Sequence, residues 1–151
     1  MSKWSNPDEW SKLYRGESCV ICLQGRPLHT ITELEVSWVA MSEEGILRGN
    51  CCLFLRRHAV ELHDLAPDVA AAFMRDIQRL SRAIQSSTGA VKMNYEVHGN
   101  TIPHMHMHFF PRYVGDPFEG APINPRRVGG PVYALGEFEM LKQRILSALT
   151  E

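Results

Sequence analysis

The amino-acid sequence predicts an α+β fold, in which helices cover one face of an antiparallel sheet. Helical periodicity is strong over residues 67–87, whereas strand-like patterns lie before it, at 34–40 and 51–58, and after it. The chain therefore does not alternate one helix with every strand, as a doubly wound parallel sheet requires. A further observation is that histidine alternates with large apolar residues over 103–112, which indicates a late strand with two different faces.

Length and composition limit the kind of protein this can be. At 151 residues with 44% hydrophobic residues, the chain has the size and apolar content of one domain. A formal net charge of −1 gives no basic field for a nucleic-acid partner, and no run of 18 apolar residues could span a membrane. The N-terminus lacks a signal-peptide pattern, so we expect a cytoplasmic protein whose four cysteines stay reduced.

The first predicted element is a short helix that begins after Asn6 and ends near Gly16. Asn6 can cap the helix, Pro7 suits its first turn, and Glu9 can bond back to the cap. A mobile leader is the alternative interpretation of this segment. The strands at 34–40 and 51–58 follow, separated by a turn, and adjacent Cys51 and Cys52 in the second strand are interpreted as strand packing.

The longest helix, over 67–87, repeats apolar residues every three or four positions: Val69, Phe73, Ile77, Leu80 and Ile84. Gly89 suits its stop. A strand at 91–97 follows, and the loop 98–102 leads into the histidine strand. That strand should end at Pro111, because proline lacks the N–H that a strand ladder needs.

The C-terminal part of the chain has a different composition. Residues 114–134 are rich in glycine and proline, and they are ordered only if they dock on the rest of the domain. A last helix is predicted over about 137–149, with apolar residues at helical spacing. We expect one domain over 1–151, with its core at about 19–113.

The histidine strand carries the clearest chemical signal. One face should present His104, His106 and His108, and the other Met105, Met107 and Phe109. With an unperturbed pKa near ~6.5, imidazole is neutral and available at cytosolic pH. Two chemistries follow: the three histidines bind a catalytic zinc ion, or one attacks an electrophile such as phosphorus while a neighbour protonates the leaving group.

The loop before the strand favours the second chemistry. Gly99, Asn100 and Thr101 can present backbone N–H groups and small side chains to phosphate oxygens, and Arg112 can add charge. No nearby Asp or Glu is an obvious general base for a zinc hydrolase. A non-catalytic nucleotide-binding module is the third alternative, although binding alone needs no nucleophile.

At this point a resemblance to a known family can be stated. His104–Phe110 matches the His-φ-His-φ-His-φ-φ pattern of the histidine triad (HIT) family, where φ is a hydrophobic residue. Other matching segments fall in the family's order: 19–22, 56–58, 62–65, 99–100 and 111–112. The resemblance covers about residues 19–113, and the Gly-Asn-Thr-x-Pro and Gly-Asp-Pro-Phe segments around the triad are similar to those of bacterial HIT-like hydrolases.

The resemblance implies a five-stranded antiparallel sheet with a long helix, usually paired into a homodimer. It also implies a nucleotide hydrolase or transferase that cleaves at the α-phosphate of nucleoside phosphoramidates or dinucleoside polyphosphates. In that family pattern His106 is the nucleophile that carries a covalent nucleotide, and His108 contacts the phosphate and assists the leaving group. The matching substrate-binding positions are Asn94, Gly99, Asn100 and Thr101. No organic cofactor is implied.

The Cys-x-x-Cys pair at 19–22 is ambiguous by itself, because two buried thiols in a packed segment would look the same. HIT members that carry this pair often hold a structural zinc ion. The residues that match their ligands are Cys19, Cys22, His58 and His104, a closed Cys₂His₂ set. His63 is the second choice for a histidine ligand. This assignment leaves His106 and His108 for chemistry.

Substrate recognition stays open at the level of the sequence. Many family members bind the ribose hydroxyls with an aspartate seven residues before the glycine that matches Gly49, and here that position is Ser42. Trp4, Trp10 and Trp38 are too widely spaced for a stacking platform, so we expect them in core or dimer packing. The base preference and the leaving group therefore cannot be predicted.

Overall fold

The computed structural model describes residues 3–124 and 131–150, and within them it places four α-helices and five strands. The helices are α1 (Pro7–Tyr14), α2 (Val20–Gln24), α3 (Pro67–Thr88) and α4 (Glu137–Thr150). The strands are β1 (Thr30–Glu33), β2 (Ser37–Ala40), β3 (Cys51–Leu55), β4 (Lys92–Glu96) and β5 (His106–Arg112). Short 3-10 turns cover Lys3–Ser5 and Leu62–Asp64.

The five strands form one antiparallel sheet in the order β1-β2-β3-β5-β4. The α+β class and the five-stranded antiparallel sheet are thereby confirmed. β5 is sequence-distant from β3 but lies beside it, with Leu53 opposite Met107 and Phe54 opposite His106. This central position gives the histidine strand a neighbour on both sides.

One face of the sheet packs against α3, and α4 packs on α3 and contributes to the same core. Met105 and Phe109 are almost fully buried there, together with Phe73 and Leu80 of α3, and Met107 is partly buried against the same core. The predicted apolar face of the histidine segment is confirmed. Within residues 3–124 and 131–150, no helix has both the length and the apolar character needed to cross a bilayer.

The helix predictions agree with the structure to within a few residues. At α1, the Asn6 side chain accepts a hydrogen bond from the backbone N–H of Glu9 at 3.1 Å, as the cap assignment required. At the end of α3, Gly89 has a φ of 72°, a left-handed conformation that a glycine adopts without strain. These ends were readable because the capping signals are local.

The strand predictions were less accurate before the long helix. The strand expected over 34–40 begins too early, because only its second half forms a strand, β2, while residues 34–36 form the turn that connects β2 to a strand that was not predicted, β1. The carboxylate of Asp76, on α3, holds this turn. It accepts hydrogen bonds from the backbone N–H groups of Glu35 (3.1 Å) and Val36 (2.9 Å). Asp76 lies about 40 residues further along the chain, so the residues around the turn do not reveal this contact.

The histidine strand also differs from its prediction at both ends. β5 begins at His106, so His104 lies just before the strand rather than within it. β5 continues through Pro111, against the expectation that it ends there, and pairs with β4 up to Arg112. The last residue pair between β3 and β5 is Cys51 with Phe109, so beyond Phe109 only β4 pairs with β5. Proline is tolerated at such a position because no N–H is needed on the unpaired side.

The first part of the glycine- and proline-rich tail is docked on the domain. Phe118 and Ile123 are buried in a small second core with Leu47 and Phe110. Arg112 holds this turn by donating from Nε and Nη2 to the two carboxylate oxygens of Asp116, at 2.8 and 2.9 Å. The part of the tail prediction that covers residues 125–130 lies outside the described residues.

We expect Asp76→Ala to destabilise the fold by about 3 kcal/mol. The substitution removes the buried acceptor of three hydrogen bonds, including the one from Ser37 Oγ at 2.8 Å. Urea denaturation measures the effect. Gln78→Ala is the matched control, since Gln78 is an exposed residue on the same helix. A loss below about 1 kcal/mol, comparable to the control, would show that the carboxylate does not anchor the turn.

Candidate functional site

Some of the predicted site residues converge where β5 begins, whereas Asn94, Thr101 and His108 do not line the cavity there. A cavity of about 350 Å³ opens at this end of the sheet, and its walls include Gly99, Asn100, His104 and His106. Gly99 and Asn100 follow β4, while His104 and His106 lie at the start of β5. Because β4 and β5 are antiparallel neighbours, the end of one and the beginning of the other meet at the same edge.

The ring of His106 is held in one orientation. Its Nδ1 lies 2.6 Å from the carbonyl oxygen of His104, and since a carbonyl only accepts, Nδ1 carries the proton. The ring also stacks on Phe54, with centroids 5.0 Å apart and planes 15° apart. Burial lowers the pKa of His106, so the ring is neutral at pH 7 and Nε2 keeps a free lone pair. This is the state a nucleophilic imidazole requires.

His108 is the neighbour of His106 on the same face of β5. The two ring centroids lie 5.0 Å apart, and the His108 ring stacks on Phe110. Burial is the main cause that lowers the pKa of His108, to about 4, and the nearby His106 adds to it. His108 is therefore neutral at pH 7 in the absence of a bound anion.

Cys52 is a member of this face that the sequence analysis interpreted only as strand packing. In the β3–β5 register Cys52 pairs with His108, and its Sγ lies within 4.8 Å of ring nitrogens of both His106 and His108. Burial raises the pKa of the Cys52 thiol, which keeps it protonated at neutral pH. Only the strand register, which the sequence does not reveal, could have placed it here.

The loop after β4 turns sharply at Gly99, whose φ of 68° lies in the left-handed region that favours glycine. This turn brings Gly99 and Asn100 into the cavity wall. Thr101 follows them in the loop as an exposed residue, outside that wall. The loop is thus shaped to present main-chain and amide groups toward the same space as His106.

Asn94 and Arg112 form a polar group of their own. The Asn94 side-chain oxygen accepts a hydrogen bond from Nη1 of Arg112, and the guanidinium also binds Asp116. The Arg112 partner lowers the pKa of Asp116 to about 2, so the pair is ionised. Arg112 was expected to add charge for phosphate, but its guanidinium is engaged in holding the turn after β5.

A second group of side chains, which includes His104, consists of possible metal ligands. The side chains of Cys19, Cys22, His58 and His104 place one ligand atom each within 4.8 Å of the others. Nδ1 of His104 lies 3.4 Å from Cys19 Sγ and 3.3 Å from His58 Nδ1, and Cys22 Sγ lies 3.3 Å from His58 Nδ1. Zinc–ligand bonds of about 2.0–2.3 Å in a tetrahedron separate ligand atoms by about 3.3–3.8 Å.

The histidines of this cluster have the tautomers that metal ligation needs. His58 donates from Nε2 to the carbonyl oxygen of Tyr14 at 2.9 Å, and His104 donates from Nε2 to that of Leu55 at 2.7 Å. Both rings therefore aim the lone pair of Nδ1 at the centre of the cluster, where two facing lone pairs repel unless a cation lies between them. The donor set fits a closed tetrahedral zinc site.

Comparison with known proteins agrees with this geometry. A model of the HIT domain matches residues 24–115, more than half of the chain. Among solved structures, a histidine triad protein from Bradyrhizobium japonicum is 28% identical with a TM-score of 0.69, covering 80% of this chain and 89% of that one. A histidine triad protein from Marinobacter aquaeolei is 23% identical, with a TM-score of 0.70 and coverages of 81% and 88%.

A third solved structure is of a protein described with bound zinc. It is a zinc-bound histidine triad family protein from Mycobacterium smegmatis, 24% identical, with a TM-score of 0.64 and coverages of 89% of this chain and 94% of that one. At this level of identity the likeness concerns the fold.

Proposed function

The chain belongs to the histidine triad (HIT) family, and on this premise we propose that it hydrolyses or transfers nucleotides. The reaction would cleave at the α-phosphate of a nucleoside phosphoramidate or dinucleoside polyphosphate, through a covalent nucleotidyl-histidine intermediate. The observation that carries the proposal is the hydrogen bond from His106 Nδ1 to the His104 carbonyl oxygen. It fixes the tautomer in which Nε2 is free to attack, on a ring that lines the cavity.

In the first step, Nε2 of His106 forms a bond to phosphorus while the bond from phosphorus to the leaving group breaks. The ring becomes positively charged, and the His104 carbonyl oxygen, 2.6 Å from Nδ1, stabilises that charge. The leaving nitrogen or oxygen takes up a proton. In the second step, water attacks phosphorus and gives one proton to His108, while the bond from phosphorus to Nε2 breaks; this releases the nucleoside monophosphate and restores neutral His106.

His108 is the group we assign to the leaving-group proton. Its low pKa means that it is neutral before substrate binds. An anionic phosphate beside the ring favours the protonated form, so substrate binding itself would charge His108. His108 would then contact the phosphate and deliver the proton to the departing atom.

The phosphate would lie against the loop after β4. The positions of Gly99 and Asn100 in the cavity wall support this role, and Thr101 adjoins them in the same loop. Gly99, Asn100 and Thr101 are the proposed phosphate-binding group. Asn94 lies outside the cavity wall, where its side-chain oxygen accepts a hydrogen bond from Arg112, so a contact with substrate would require a different side-chain arrangement.

The alternative of a catalytic zinc ion shared by three histidines is disfavoured by the ring of His104. Its Nδ1 faces the cysteines, and its Nε2 is bonded to the Leu55 carbonyl oxygen. No nitrogen of His104 remains for an ion shared with His106 and His108. The alternative of a non-catalytic nucleotide-binding module is an outcome of the experiment below.

We expect His106→Asn to lower kcat/KM for AMP phosphoramidate by about 10³-fold or more, because the nucleophile is removed. Steady-state hydrolysis measures the loss, and mass spectrometry of rapidly quenched wild-type protein detects the nucleotidyl adduct. His63→Ala is the matched control, since His63 is an exposed histidine away from β5. Full activity in the His106 variant would contradict the mechanism, and binding without turnover in wild type would support the binding module.

We also propose that Cys19, Cys22, His58 and His104 hold a structural zinc ion, which would fasten the N-terminal segment to the sheet. We expect about one zinc per chain by elemental analysis, and its loss together with a lower Tm in Cys22→Ser. Cys52→Ala tests the competing site, because Cys52, His106 and His108 form a second group whose ligand atoms could hold a metal ion. Zinc content that survives in Cys22→Ser but falls in Cys52→Ala would overturn the assignment.

A second copy of the chain is the partner we propose, through the edge strand β4. Val91, Tyr95 and Val97 are 64%, 46% and 40% exposed along this edge, and among the described residues no further strand pairs with the outer side of β4. We expect a dimer by sedimentation velocity, shifted to monomer by Tyr95→Glu. Leu28→Glu, at a residue that is 69% exposed just before β1 at the opposite edge of the sheet, should leave the dimer intact, and monomeric wild-type protein would contradict the proposal.

A further inference from the structure

We propose that Trp4 and Trp10 form an aromatic wall that binds a planar, aromatic leaving group of the substrate, an inference that rests on the proposed function. Both indoles line the cavity that contains His106 and the Gly99–Asn100 loop. A ring on the substrate could therefore contact the indoles while its phosphate lies against the loop. The leaving group would then be recognised by Trp4 and Trp10, which lie outside the triad pattern.

The two indoles pack on each other, which contradicts the expectation that they are too far apart to act together. Their centroids are 6.1 Å apart with planes at 80°, an edge-to-face contact, and Trp10 makes a similar contact with Tyr14 at 6.5 Å. Trp4 nevertheless stays 53% exposed. A large ring held by an aromatic neighbour but left open toward a cavity is suited to stack with a ligand ring.

Two hydrogen bonds hold the helix that carries Trp10 against the segment that follows β3. Tyr14, at the end of α1, accepts a hydrogen bond from His58 Nε2 at its carbonyl oxygen and donates from its hydroxyl to Asp64 at 2.8 Å. His58 is in turn part of the Cys–His cluster. The same cluster that we assign to zinc therefore fixes the helix that carries the wall.

The direction of the reaction favours the leaving group, rather than the nucleobase, as the part of the substrate that contacts Trp4 and Trp10. In phosphoryl transfer, the attacking and departing atoms lie roughly in line through phosphorus. His106 attacks from the sheet, so the leaving group departs on the side away from the sheet. Trp4 and Trp10 supply a wall of the cavity from outside the sheet, on the N-terminal 3-10 turn and α1.

The test compares two AMP amides whose leaving amines have similar size and basicity, phenethylamine and cyclohexylethylamine. We expect wild type to favour the aromatic amide by about fivefold to tenfold in kcat/KM, the effect of one ring contact. The double variant Trp4→Leu/Trp10→Leu should abolish this preference, and Trp4→Phe/Trp10→Phe should restore most of it. Trp38→Leu is the matched control, since Trp38 lies on β2 outside the cavity and should keep the preference.

Two results would overturn the proposal. One is an aromatic preference that persists in the double leucine variant while circular dichroism shows it folded. The other is a double variant that changes the ratio of AMP to UMP amides but not the ratio of the two amines, which would assign the wall to the base.

Failure of the proposed function gives a different result. If wild type hydrolyses neither amide, calorimetric binding of the same two compounds replaces the kinetics. Tighter binding of the phenethyl amide, lost in the double leucine variant, would support the wall although the catalytic proposal had failed. Equal binding of both amides would overturn the proposal that Trp4 and Trp10 bind an aromatic leaving group.

Discussion

One residue, His104, joins the two chemical centres of this protein. Its ring belongs to the Cys–His cluster, and its carbonyl oxygen fixes the ring of His106, two residues later. Its Nε2–H is bonded to Leu55 at the end of β3. A change in the position of this peptide would therefore disturb the cluster, the tautomer of His106 and the junction of β3 with β5 together. Both ring nitrogens and the carbonyl oxygen of His104 therefore have close partners.

The sequence predicted the faces of β5 because alternation in a strand is local. Met105, Met107 and Phe109 lie on the core side, and His106 and His108 lie on the other. The capping signals at Asn6 and Gly89 were equally local, and they located two helix ends. The α+β class followed from the order of such segments alone.

What the sequence could not predict are contacts between distant segments. Asp76 bonds to the connection between β1 and β2, the β3–β5 register brings Cys52 to the histidines, and Arg112 bonds to Asp116. The pairing of Trp4 with Trp10 depends on how α1 is fastened to the sheet. Each of these contacts is set by packing of the whole domain, which periodicity and spacing do not encode.

The Cys–His cluster also has a bearing on the order in which the chain folds. Cys19 and His104 are 85 positions apart, and His104 reaches its place only when β5 lies beside β3. Closing so long a loop is entropically unfavourable before other contacts hold its ends together. We therefore infer that the cluster forms late in folding. With zinc bound as proposed, it would hold together a sheet already assembled by its apolar core, and it would slow unfolding rather than start folding.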